Sequence, residues 1–200
     1  MGGSATWTAG SYTDTGTITL EASSGGYSRV DLELAGGSRV SVRAPLGSRA
    51  SSHGSLPGGA AQATGSLAAG SADSGGAAHQ LPPGAVWTRA AWFFPALVLD
   101  AAGSPAVGLS DSGQTTINGA MADHLRLALT APRPTPHMAA EIASLSQADY
   151  YLNPPTHLPV ALDFVEHPAG VVNRGGVRVE IRYGDWQQNL GIEVPHHFER

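Results

Sequence analysis

The feature that most constrains this chain is a period-two alternation of apolar and polar residues, repeated in short stretches along its length. It runs through Thr17-Ile18-Thr19-Leu20-Glu21, Val30-Asp31-Leu32-Glu33-Leu34 and Arg39-Val40-Ser41-Val42-Arg43. It returns in His124-Leu125-Arg126-Leu127-Ala128-Leu129, Leu158-Pro159-Val160-Ala161-Leu162-Asp163-Phe164 and Val177-Arg178-Val179-Glu180-Ile181-Arg182-Tyr183. A last stretch, Ile192-Glu193-Val194-Pro195-His196-His197-Phe198, closes the chain, and Pro195 suggests an edge position. Successive side chains of a strand point to opposite faces, so each stretch predicts a strand with one apolar and one wet face, the habit of antiparallel sheets. Gly25-Gly26, Gly36-Gly37 and Asn118-Gly119 lie where hairpins need positive φ. On this reading Val177, Val179, Ile181 and Tyr183 face inward, while Asp163, Arg178, Glu180 and Arg182 face water.

Two segments read as helical. Val86 to Leu99 is rich in Ala, Leu and aromatics and is interrupted by Pro95, which predicts two short pieces. Thr135-Pro136 is a cap residue followed by proline at the first helical position, and Met138, Ile142 and Leu145 follow at helical spacing. The stretch from about 45 to 83 is dominated by Gly, Ala and Ser and lacks the large side chains that would offset its ordering entropy, so it predicts a long flexible insertion. The sum is about eight to ten antiparallel strands with helical cover, the α+β class, in one domain spanning 1–200. A sheet that large must curl, and its apolar concave face must be covered.

Composition removes several function classes. Charged residues make up only 14% against 42% hydrophobic, so apolar burial and backbone pairing hold the fold. Every basic residue is Arg, none form a run or stripe, and the net charge is −5; nucleic-acid binding is not expected. Without cysteine, thiolate chemistry and Cys-bound zinc are excluded. No apolar run approaches the roughly 20 residues of a membrane-spanning helix. No Gly-x-Ser-x-Gly elbow supports Asp123-His124 as part of a hydrolase, and no His-x-x-x-His pair marks a metal site. His196-His197 would point to opposite faces of a strand. No enzyme, cofactor or metal is expected. Trp7 and Trp186, the latter read as part of a turn Tyr183-Gly184-Asp185-Trp186, are assigned to the ends of the core or the rim of a pocket.

The order of motifs resembles the LolA-like superfamily of outer-membrane lipoprotein-sorting and carrier proteins. The similarity lies in Val179-Glu180-Ile181-Arg182-Tyr183-Gly184-Asp185-Trp186 with Leu190-Gly191-Ile192-Glu193-Val194-Pro195, and in Tyr151-Leu152-Asn153-Pro154-Pro155-Thr156-His157-Leu158-Pro159-Val160. It extends to the opening Gly2-Gly3-Ser4-Ala5-Thr6-Trp7 and Gly16-Thr17-Ile18-Thr19. The resemblance implies a curved antiparallel sheet forming a half-open β-barrel, with two or three helical segments over its concave face. It further implies an apolar ligand there, such as a lipid or a lipoprotein acyl chain, and a place in the periplasm. That family has a helix before its first strand, so a signal peptide and leading helix are expected to be missing from this chain.

The inward rows expected to meet the ligand are Ile18, Leu20, Val30, Leu32, Leu34, Leu127, Leu162, Val179 and Ile181, with Trp92 and Phe93 near the cover. The alternative is a sensor or protein-interaction module of the same fold, its cavity filled, acting on an envelope partner.

Overall fold

A computed structural model describes residues 1–23, 28–35, 37–43, 69–73, 78–80, 92–130, 135–166 and 175–200. The alternating stretches are strands, all paired antiparallel, and they fall into two six-stranded sheets. The chain forms two compact units, Met1–Val86 and Trp87–Arg200.

The first unit is a meander of β1 (Gly2–Ala9), β2 (Tyr12–Ala22), β3 (Ser28–Leu34), β4 (Gly37–Arg43), β5 (Ala69–Asp73) and β6 (Ala78–Gln80), in that spatial order. Gly10, at φ +61°, turns β1 into β2. Ile18 pairs with Leu32 and Leu20 with Val30, which puts these apolar side chains on one face. Gly16 is required there: a Cβ on it would run into the Glu33 carbonyl. β5 and β6 lie inside the stretch read from composition as an unstructured insertion. Backbone pairing needs no large side chain, so the Ala- and Ser-rich segment Ala69–Asp73 can add to the edge of β4. The rest of that stretch lies outside the described residues, as do Gly25-Gly26 and Gly36.

The second unit holds β7 (Val107–Ile117), β8 (Ala120–Leu129), β9 (Ala148–Leu152), β10 (Pro159–Glu166), β11 (Val177–Asn189) and β12 (Ile192–Glu199), ordered β12-β11-β10-β9-β8-β7. Asn118 and Gly119, both at positive φ, make the turn between β7 and β8. Two cross-strand rows, Leu125-Tyr150-Leu162-Ile181 and Leu127-Ala148-Phe164-Val179, form the apolar face. Leu127, Ala148, Tyr150 and Leu162 in these rows are wholly inaccessible to water.

The architecture differs from expectation in its helices. Among the described residues the one helix longer than two turns is Pro136–Ser146, against two or three expected. It is capped as expected, with Thr135 accepting a hydrogen bond from the Met138 N–H at 3.3 Å. Of the aromatic segment, residues 86–91 lie outside the described residues; the described part contributes a six-residue helix, Pro95–Asp100, with Ala101–Gly103 continuing it as 3-10 helix. These are α1 (Pro95–Asp100) and α2 (Pro136–Ser146). Pro95 begins α1 instead of dividing a longer helix, because the first helical position has no N–H bond to lose. Gly184 to Trp186 is not a turn: β11 continues through it to Asn189, with an irregularity at Asp185, whose φ is 49°. Neither sheet closes on itself, and no helix among the described residues is long and apolar enough to cross a membrane.

Candidate functional site

The two faces of strand chemistry place two candidate sites on this chain, one apolar and one polar.

The apolar residues expected to meet a ligand divide between the units. In the second unit Leu127 and Leu162 are fully buried, and Val179 and Ile181 nearly so. Trp92 packs on Phe164 with ring centroids 6.0 Å apart, and Phe93 meets Phe198 edge-on at 5.5 Å. The Arg200 guanidinium lies 4.1 Å over the Trp92 ring, adding a cation–π contact to that cover. These residues therefore make a closed core, with Trp92 and Phe93 as its lid. In the first unit the corresponding row is different. Leu20 is buried, but Ile18, Val30, Leu32 and Leu34 keep part of their surface exposed along β2 and β3.

The wet face of the second unit is organised more closely than alternation alone predicts. Arg126, Asp149, Asp163 and Glu180 are successive cross-strand partners from β8 to β11. Asp149 accepts hydrogen bonds from His124 Nε2 at 2.7 Å, Arg126 Nε at 2.8 Å and Gln147 Nε2 at 3.0 Å. Burial pushes its carboxyl up, but those three bonds and the Arg126 charge outweigh burial and hold it below the ordinary carboxylate value. His124 stacks on Tyr151 at 4.8 Å. The Tyr151 phenol is held above its ordinary value, first by burial and then by the negative charges of Asp163 and Asp149.

Asp163 departs from its reading as a water-facing residue. It is only 5% exposed, because the neighbouring strands and their long side chains close over it. Arg178 donates to its Oδ2 at 2.6 Å, while Oδ1 is buried without a hydrogen-bond partner. Beside it lies a concavity of about 530 Å³ walled by His124, Arg126, Asp149, Tyr151, Asp163 and Arg178 among others. Among the described residues no group of His, Asp and Glu side chains is arranged to hold a metal ion. No spacing within the strands signals this cluster, since only the register between them brings Asp149, Asp163 and Glu180 together.

No protein-family model matches the chain, and no curated protein does. Among solved structures it is similar in chain path to a candidate outer-membrane lipoprotein-sorting protein domain from Vibrio parahaemolyticus. The identity is 7% and the TM-score 0.47, over 94% of this chain and 69% of that one. A DUF1329 family protein from Desulfovibrio piger is similar at 7% identity and a TM-score of 0.45, over 92% of this chain and 68% of that one.

Proposed function

We propose that the protein is a periplasmic, non-enzymatic carrier that holds a lipid or lipoprotein acyl chain against the apolar row of β2 and β3. The observation that supports it is the contrast between the two units. The apolar rows of the second are shut beneath Trp92 and Phe93, whereas Ile18, Val30, Leu32 and Leu34 are aligned, adjacent and incompletely buried. Leaving such a row partly wet forgoes about 25 cal/mol for each Å² that could be covered. A flexible acyl chain lying along the row recovers that stabilisation without a preformed closed cavity. In this reading Leu127, Leu162, Val179 and Ile181 support the fold, and Ile18, Leu20, Val30, Leu32 and Leu34 touch the ligand.

The test is binding of a fluorescent fatty-acyl probe, with native mass spectrometry of the purified chain for co-purified lipid. Saturable uptake is expected, and Leu32→Gln should weaken it by about tenfold or more, since a polar amide would be desolvated against the chain. Silence in both measurements removes the carrier reading.

A second reading has its own support. The filled apolar face under Trp92 and Phe93 is what a sensor or interaction module would show, with an envelope protein covering the β2 and β3 row instead of a lipid. It is favoured if the acyl probe fails while L32Q abolishes capture of a specific envelope protein.

A further inference from the structure

Among the described residues four strands end the two sheets, and three of them carry a device that keeps another strand off. β12 has Pro195, which lacks an N–H, between Glu193 and Glu199. β7 has a bulge between Asp111 and Gln114. β6 is three residues long. β1 has none of these: its eight residues pair with β2 without a register shift, and no charged side chain occurs from Gly2 to Thr13. The Leu20 N–H donates to the Met1 carbonyl and the Met1 amino group to the Leu20 carbonyl, both at 2.7 Å, which sets the phase of the ladder. Met1, Gly3, Ala5, Trp7 and Ala9 therefore bond to β2, and the N–H and C=O groups of Gly2, Ser4, Thr6 and Thr8 point away from the sheet. All four of these residues are exposed.

Two further residues of β1 have no account within this chain. Trp7 is 48% exposed, with only the edge of its ring met by Tyr12 at 5.8 Å. Gly3 weakens a strand that does not need it: its φ is not positive, and a Cβ there would touch only Ile18 Cγ2, at an ordinary 3.7 Å.

We propose that β1 pairs antiparallel with β1 of a second copy of this chain, about a two-fold axis at Ala5, joining their first-unit sheets into one. In the register that sets Gly2 opposite Thr8 of the second copy, and Ser4 opposite its Thr6, every outward donor and acceptor of both strands is used; a shift by two residues either way leaves some unpaired. The same register stands each Trp7 opposite Gly3 of the other copy, in the non-hydrogen-bonded pair whose side chains approach most closely. An indole laid over a strand glycine fills the space left by the missing side chain, which accounts for both residues at once. An isologous contact brings a strand against its own image, so charges near the axis would meet their like, and β1 has none. Gly3, Ile18 and Leu32 are successive cross-strand partners, so the apolar row of β2 and β3 would continue across the axis. The pairing itself is carried by backbone groups and does not rest on the acyl reading.

Sedimentation equilibrium of the full chain, without added lipid, tests this against the 20.4 kDa of one copy. A dimer is expected. Ser4→Lys with Thr6→Lys, and separately Ser4→Glu with Thr6→Glu, set like charges opposite one another across the axis on an exposed face, and each should weaken dimerisation by about tenfold or more. An equimolar mixture of the two variants should restore the dimer, which also shows that both are folded. Residue-resolved hydrogen exchange should find the amides of Ser4, Thr6 and Thr8 protected in the parent and fast in either variant alone, with those of Ala5 and Trp7 protected in all three. The proposal is overturned if the parent sediments as one copy, if both variants dimerise as the parent does, or if their mixture stays monomeric. A monomeric parent whose Ser4, Thr6 and Thr8 amides are protected also overturns it, and assigns the edge to another stretch of the same chain. Failure of the acyl probe leaves every one of these outcomes as it stands.

Discussion

At Ser146 one hydroxyl joins helix to sheet. The side chain is fully buried; it donates to the Ile142 carbonyl at 2.6 Å and accepts from the Leu129 N–H at 2.8 Å. Ser146→Ala would strand that N–H away from water, and urea unfolding should show a loss of about 1–3 kcal/mol. Asp149 sets the acid side of the stability profile. Its folded carboxyl lies below the ordinary carboxylate value, so its contribution is present above that value and is lost as pH falls toward the folded one. Thermal midpoints measured from pH 6 downward should therefore drop below about pH 4, and Asp149→Asn should flatten that part of the curve. The burial of Asp163 was illegible in its strand. Alternation assigns a face, but whether that face is wet is decided by how long neighbours such as Arg178 and Tyr151 fold over it.

Two hairpins of the second unit end in the same kind of turn with different chemistry. Asn118 and Gly119 have φ of 52° and 80°, and Leu190 and Gly191 have φ of 51° and 83°. Asn tolerates the left-handed region; a leucine there is strained, and this one is 99% exposed. Leu190→Asn should raise stability by about 1 kcal/mol in denaturant titration, with no change in the register of β11 and β12. Elements of this kind were the most readable part of the chain. Asn118-Gly119 and Thr135-Pro136 act where their local chemistry puts them, because a turn or a cap depends on a few adjacent residues. The aromatic segment was less readable. Its composition favoured helix, yet Trp92 and Phe93 lie in a turn ahead of α1, where packing on Phe164 and Phe198 outweighs propensity.

For the molecule as a whole, the two sheets differ in how completely their apolar faces are closed. Hydrogen exchange followed by mass spectrometry should find amides of β2 and β3 exchanging before those of β8 to β11, since opening costs less where fewer apolar contacts are broken. Added acyl ligand should slow exchange in β2 and β3 selectively, and equal slowing in both sheets would contradict the assignment of the ligand to the first unit. The sequence by itself determined the alternating strands, the Asn118-Gly119 turn, the capped helix and the absence of thiol chemistry, because each depends on residue type or on spacing within a few residues. Only the tertiary structure decided that the strands divide into two sheets, that Leu127 and Leu162 are sealed while Leu32 is not, and that three carboxylates share a row. Those facts depend on register between strands far apart in the chain, and no local pattern encodes which residue will stand opposite which.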